Sequence, residues 1–203
     1  IEKEIISNIN KTIATSLDIR ESFSDICGEL KKIIPFDRAC LITSNEQGQW
    51  FQVFALTKNY NFSEINEGEC FPISGSLLEE IIKTGEPVIV NNTQTGRFWT
   101  DRVLYKERIH ARLGFPLTYK GKVLGALTFG SEKSNSFSEQ CYYYLWQLAP
   151  QLAIALENTK LFNRIKASEE RYKTLFNHAA DSMVMIDLNG KILTVNQREE
   201  EII

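Results

Sequence analysis

With 203 residues, 43% of them hydrophobic, and a formal charge of −3, the chain can build one ordinary core with something attached. Its mildly acidic balance gives no reason to expect nucleic acid as a partner. No apolar run approaches the length of a membrane span, and the N-terminus lacks the sections of a secretory signal. The expected setting is cytoplasmic. The chain begins at Ile1 rather than Met and is read as part of a longer parent, in which a membrane anchor elsewhere is left open. Cys27, Cys40, Cys70 and Cys141 form no CxxC pair, which argues against a zinc knuckle or a disulfide framework.

Ile6, Ile9 and Ile13, and then Ile19, Phe23, Ile26, Leu30 and Ile33, recur at helical spacing. They predict two helices, or one with a joint near Leu17. Asp18 is the N-cap of the second, Glu21 completes a capping box, and Pro35 ends it. Strands are expected over 38–43 and 50–56, joined by a turn at 45–49. Ser76 and Glu79 form a capping box that opens a short helix, Gly85 ends it, and 88–90 is a short strand. The segment 91–110 is too polar for core and too aromatic for a free linker, so it is expected to fold over something.

Leu113, Phe115, Leu117 and Tyr119 alternate with smaller or polar neighbours as a strand does. After a tight Lys120-Gly121 turn, 123–129 is almost continuously apolar, the mark of a strand covered on both faces. Gly125 and Gly130 mark a bulge or the close approach of another backbone, and Pro116 an edge position or a bulge. A long helix is expected from Phe137 and Ser138 to Phe176, bent at Pro150. Beyond it, Asn189-Gly190 between two apolar runs is a two-residue hairpin signal.

An ordered set of segments carries a resemblance: TSLDIRESF, PFDRACLI, GSLLEEIIKTGEPVIV, GFPL with GKVLGALTFGS, and FSEQ. Together they resemble a GAF domain over about 15–162. The resemblance implies an α+β sandwich: a central antiparallel sheet, terminal helices on one face, and a ligand pocket under a loop-and-helix cap on the other. ERYKTLFNHAADSMVMIDLNGKILTVNQREEEII resembles the start of a PAS domain. The expected organisation is a connecting helix over 1–14, a GAF domain over 15–163, a linker helix over 164–176, and a truncated PAS start over 177–203. A lone hairpin is marginal in water, so it is expected to pair with another chain or fold back on the GAF domain.

GAF followed by PAS resembles the input side of bacterial sensor histidine kinases, less often of cyclic-di-GMP synthases. That implies a sensory module binding an unidentified small molecule and relaying through a homodimer built by the terminal helices, 1–17 and 138–176, with a downstream kinase or cyclase domain in the parent. The alternative is a dimerising spacer with no ligand. No phosphate loop or nucleophile–base–acid set is present, so the fragment is expected to be non-catalytic. The GAF-fold methionine sulfoxide reductases are a third, weaker resemblance, since Cys70 precedes the position of their Gly-x-Cys-Gly turn.

No cofactor is indicated. The cysteine that holds a bilin is missing, and His110 alone offers itself to a haem. For the pocket, Ser74, Gly75 and Ser76 offer backbone N–H groups and hydroxyls at a helix start. Arg102 and Arg112 offer charge, and Phe71, Phe98, Trp99 and Tyr105 apolar walls. Between Arg97 and Lys122 seven basic residues outnumber Asp101 and Glu107, while 61–86 is acidic. The two segments are expected to neutralise one another across the cap, unless the excess serves an anionic ligand. Asn158 and Asn163 would fix a dimer's register if buried.

Overall fold

Strand alternation in the computed structural model, which describes residues 2–58 and 63–197, sorts side chains to two faces of one sheet. The chain forms two units, 1–158 and 159–203. Six strands build the first: β1 (Arg38–Ser44), β2 (Trp50–Lys58), β3 (Cys70–Pro72), β4 (Val88–Val90), β5 (Ala111–Tyr119) and β6 (Lys122–Ser131). Their order is β3-β2-β1-β6-β5-β4, and every pairing is antiparallel. Ala39 and Leu41 of β1, Leu113, Phe115 and Leu117 of β5, and Leu127 and Phe129 of β6 share one core cluster. Cys40 and Ile42 of β1, Val53 of β2, Val88 and Val90 of β4 and Ala126 of β6 belong to a second.

The first cluster takes in the helices α1 (Glu2–Thr15), α2 (Ile19–Leu30) and the start of α5 (Gln140–Asn177). Ile5, Ile9 and Ile13 of α1 are buried there with Leu145, Leu148 and Leu152 of α5. The apolar stripe of α1 is thus covered within its own chain, and the Tyr144 hydroxyl donates to Glu2 Oε1 at 2.7 Å. The second cluster lies under α3 (Leu77–Thr84) and α4 (Trp99–Lys106). Helices on one face and a cap on the other is the expected α+β sandwich.

The joint between α1 and α2 falls at Ser16–Asp18, but the expected capping box with Glu21 does not form. Asp18 accepts instead from the Arg20 backbone N–H at 2.9 Å, and the Arg20 guanidinium folds over the same carboxylate. The helix ends at Leu30, several residues before Pro35. Asp18→Ala should lower stability by about 1 kcal/mol, the worth of an N-cap. The hydrogen bond from Arg20 holds the Asp18 carboxyl below its ordinary value. That stabilisation is therefore complete above the ordinary carboxylate range, near pH 4, and fades as pH falls through the lowered value. Urea titrations of both proteins should show the difference at pH 7 and its shrinkage in acid.

At the β5–β6 turn, Lys120 and Gly121 both have positive φ, 49° and 76°, the left-handed pair that a two-residue hairpin requires. Pro116 lies beyond the part of β5 that pairs with β4, beside a bulge at Leu117/Thr118. Two elements were not legible beforehand: β3 and α4, the latter inside the segment expected only to fold over something.

In the second unit α5 continues to Asn177, and β7 (Val184–Ile186) pairs with β8 (Ile192–Val195). The loop is wider than the expected two residues. Asp187 N–H donates to Lys191 O at 2.9 Å, Gly190 N–H to Asp187 O at 3.1 Å, and Gly190 is left-handed at φ 82°. Asn196, fully buried, accepts from Met183 N–H and donates to Asp181 O, each at 2.9 Å. The apolar Met183, Val184, Met185, Ile186, Ile192 and Leu193 are exposed. The end of the PAS-like stretch, 198–203, lies outside the described residues, as do Asn61 and Phe62 of the acidic segment.

Candidate functional site

Arg38 of β1 and Arg112 of β5 both pair with Gly130 of the strand between them, so two arginines sit in one row across the sheet. Both are buried, at 4% and 6% exposure, on the face covered by the cap. A buried guanidinium needs an acid, and α4 supplies one near each of its ends. Asp101, in the first turn, accepts from Arg112 Nη1 at 2.6 Å and from the Phe98 N–H at 3.0 Å. Glu107, just past the last turn, accepts from Arg38 Nη1 at 3.0 Å. Two buried ion pairs thus fasten α4 to the sheet.

The Glu107 carboxylate also accepts from the Glu64 N–H at 2.7 Å and the Ser63 hydroxyl at 2.9 Å, while Arg38 Nη2 donates to Ile65 O at 3.1 Å. The segment before β3 is drawn to the same corner. Burial lowers the pKa of Arg112, and the adjacent Asp101 opposes that shift. Gly130 has no side chain because Ile109 fills the space, with its Cγ2 2.8 Å from where a Cβ would stand.

Between the arginines, the sheet and the cap lies a cavity of about 30 Å³. Arg38, Arg112, Ser76, Thr100 and Thr128 give it polar atoms, and Cys40 a thiol that burial pushes up to about 11. Ile42, Phe51, Val53, Leu77, Leu78 and Leu104 give it apolar walls. The Ser76 hydroxyl caps α3 by accepting from the Glu79 N–H at 3.4 Å. Glu79 reaches back to the Gly75 N–H at 2.7 Å, one residue earlier than the expected box.

Of the residues singled out beforehand, Ser76 and Arg112 line this cavity and the others do not. Phe98 is buried in the core under the Arg97 guanidinium, so it is packing rather than a pocket wall. Trp99 and Phe71 are half-buried and stack with Phe51 at ring separations of 5.7 to 6.3 Å. The Trp99 indole N–H is buried without a partner among the described residues. Ser74 and Gly75 are exposed, Gly75 accepting from the Trp99 N–H at 3.1 Å. Arg102 is exposed against Gly96. Tyr105 is 38% exposed and meets His110 edge-on at 5.1 Å.

The charged segments do meet across the cap, in Arg97–Glu80 at 2.6 Å and Lys106–Glu64 at 3.6 Å. Arg112, however, is neutralised by Asp101 from its own basic segment. Cys70 is exposed on β3, while Cys27, Cys40 and Cys141 are buried. Asn158 is exposed and Asn163 half-buried in the single chain. No described helix is long and apolar enough to cross a membrane.

A sheet backed by helices on one face and closed by a pinned cap over a small polar-and-apolar cavity on the other is an α+β sandwich that encloses a site beneath its cap. Residues 16–157 match the family model of the GAF domain, and the chain belongs to that family. Residues 170–202 match that of the PAS domain, so the two together make a sensory input module. No curated relative matches the chain at the level of sequence.

Among solved structures, it is similar to the GAF domain of an Acinetobacter phosphoenolpyruvate-protein phosphotransferase. The two are 20% identical, with a TM-score of 0.65 over 80% of this chain and 97% of that one. The GAF domain of a Bacillus halodurans two-component sensor histidine kinase is 19% identical, with a TM-score of 0.64 over 73% and 99%. Free methionine-R-sulfoxide reductase from Neisseria meningitidis, solved with its substrate, is 16% identical, with a TM-score of 0.63 over 79% and 90%. At these identities the likeness is one of fold.

Proposed function

We propose that the chain is the non-catalytic input module of a bacterial sensor histidine kinase: its GAF cavity takes a small molecule, and dimeric helices relay the state of the cap. The observation that supports ligand binding is the cavity itself, which the fold places under α3 and α4 and lines with two buried arginines. Because α4 is held at both ends, a ligand that alters either ion pair shifts the whole helix between two packings, a population shift through a bistable element.

The size of the cavity favours a second reading. About 30 Å³ is far below the several hundred of a drug-sized site. A domain whose pocket is filled by its own side chains serves as a dimerising spacer. Non-denaturing mass spectrometry on gently purified protein separates the two. Extra mass establishes the sensor, and a clean apo dimer favours the spacer.

Of the two terminal helices expected to build the dimer, α5 is kept and α1 is left out. Tyr143, Trp146, Ile154, Leu161, Ile165, Tyr172 and Leu175 keep helical spacing and are exposed in the single chain, whereas the stripe of α1 is covered. Ile154→Glu places a charge in that seam at a residue 41% exposed. In analytical ultracentrifugation it should turn dimer into monomer with little change in thermal unfolding of the monomer. An unaltered dimer would remove α5 as the interface. The exposed β7–β8 hairpin belongs, on this reading, to a PAS domain that needs further chain or a second copy to cover it.

A further inference from the structure

Arg112 is an arginine with work left undone. Its Nη1 donates to Thr100 Oγ1 at 2.7 Å and to Asp101 Oδ1 at 2.6 Å, which uses both protons of that nitrogen. Nε and Nη2 have no hydrogen-bond partner among the described residues, although the side chain is 8% exposed and lines the cavity. That free Nε–Nη2 edge is the fork that a carboxylate meets with two parallel bonds.

A second feature faces the same space. Leu77 and Leu78, the first two residues of the eight-residue α3, line the cavity, and backbone N–H groups at a helix start have no partner within the helix. They carry the positive end of the helix dipole. Arg112 and the first residues of α3 therefore border one small volume.

We infer that the cavity is a site for a short monocarboxylate, its carboxylate held by the Nε–Nη2 edge of Arg112 and the N-terminus of α3, and its alkyl end set against Ile42, Val53 and Leu104. The inference rests on the proposed ligand-binding role of the cavity. Charge favours the smallest anion that can still use the fork: Asp101 already neutralises one side of Arg112, so each further negative charge on a ligand meets a carboxylate across the guanidinium. Volume selects a short chain, since about 30 Å³ holds on the order of one or two waters before the cap yields.

The test is a ¹H–¹⁵N titration of the whole chain with sodium propionate, following the Arg112 Nε–H and Leu78 backbone signals. Propionamide and inorganic phosphate serve as probes of matched shape and of higher charge. Saturable shifts at both groups with propionate are expected, with propionamide roughly ten- to a hundredfold weaker, the worth of a charged hydrogen bond. Phosphate should be silent. Arg112→Lys keeps a cation beside Asp101 but loses the fork, and should weaken propionate by a similar factor. The wild-type probe series stands alone if that variant does not fold.

Equal binding of propionamide, or tighter binding of phosphate, would overturn the carboxylate assignment while leaving a ligand-binding cavity. Silence from all three probes would also overturn it. The sensor reading would then still be decided by the mass of whatever copurifies with the protein.

Discussion

Asp101→Ala is expected to lower the stability of the chain by about 3 to 5 kcal/mol, among the largest effects available to a single substitution here. Asp101 has no exposed surface and is the sole acid bonded to Arg112 among the described residues. Removing it strands a guanidinium beneath the cap, and the Phe98 N–H loses its acceptor at the start of α4. Most of the cost is the uncompensated charge rather than the lost bond. Arg112→Met combined with Asp101→Ala should therefore be more stable than Asp101→Ala alone, because the double variant buries no ion. Urea denaturation of the four proteins in that cycle measures it. A cost below about 1 kcal/mol for Asp101→Ala would mean that water reaches the pair, and α4 would lose its role as a pinned element.

How much of this was readable in the sequence follows from what periodicity can see. The β5–β6 hairpin was legible because Lys120-Gly121 can hold two left-handed residues and both flanking runs are apolar. The helix α3 was legible because Ser76 and Gly85 mark its ends in residue types that do little else. The helix α4 was not, because its buried face includes Thr100 and Asp101 as well as Leu104, so the hydrophobic pattern of a helix is broken. Those polar residues are buried only because Arg112 waits for them on the sheet. The signal was nonetheless present in strand phase. Once Leu113 and Phe115 face the helices, Arg112 must face the cap, and once Ala39 and Leu41 do, so must Arg38. Two arginines committed to an interior require two acids nearby, and between Arg97 and Lys122 there are only Asp101 and Glu107. At the far end, Asn189-Gly190 marked a turn, but its width was set elsewhere. The Asp187 carboxylate accepts from both the Asn189 and Lys191 N–H groups, each at 2.9 Å, and holds a three-residue loop open.

Gly125→Ala is expected to cost about 3 kcal/mol, the upper end of what overpacking inflicts. A Cβ at Gly125 would stand 2.0 Å from the Ile42 carbonyl oxygen and 2.8 Å from Thr43 Cα. Both are backbone atoms of β1, which has no rotamer to surrender. Gly125 lies beside a bulge, where Leu117 pairs with Gly125 and Thr118 with Val123, so that Leu124 is extra and its carbonyl accepts from the Ser44 hydroxyl at 3.2 Å. The bend brings β6 against β1, and only a residue without a side chain permits it. Gly121→Ala is the comparison. It meets no atom within 4 Å but must hold φ at 76°, so its cost is conformational and about 1 kcal/mol. In urea denaturation Gly125→Ala should lose clearly more than Gly121→Ala. Hydrogen exchange should show the excess as faster exchange in β1 and β6, the strands whose separation the added methyl forces. Because Cys40, Ile42 and Thr128 of those strands line the cavity, the same substitution should also abolish propionate binding, whereas Gly121→Ala should leave it intact.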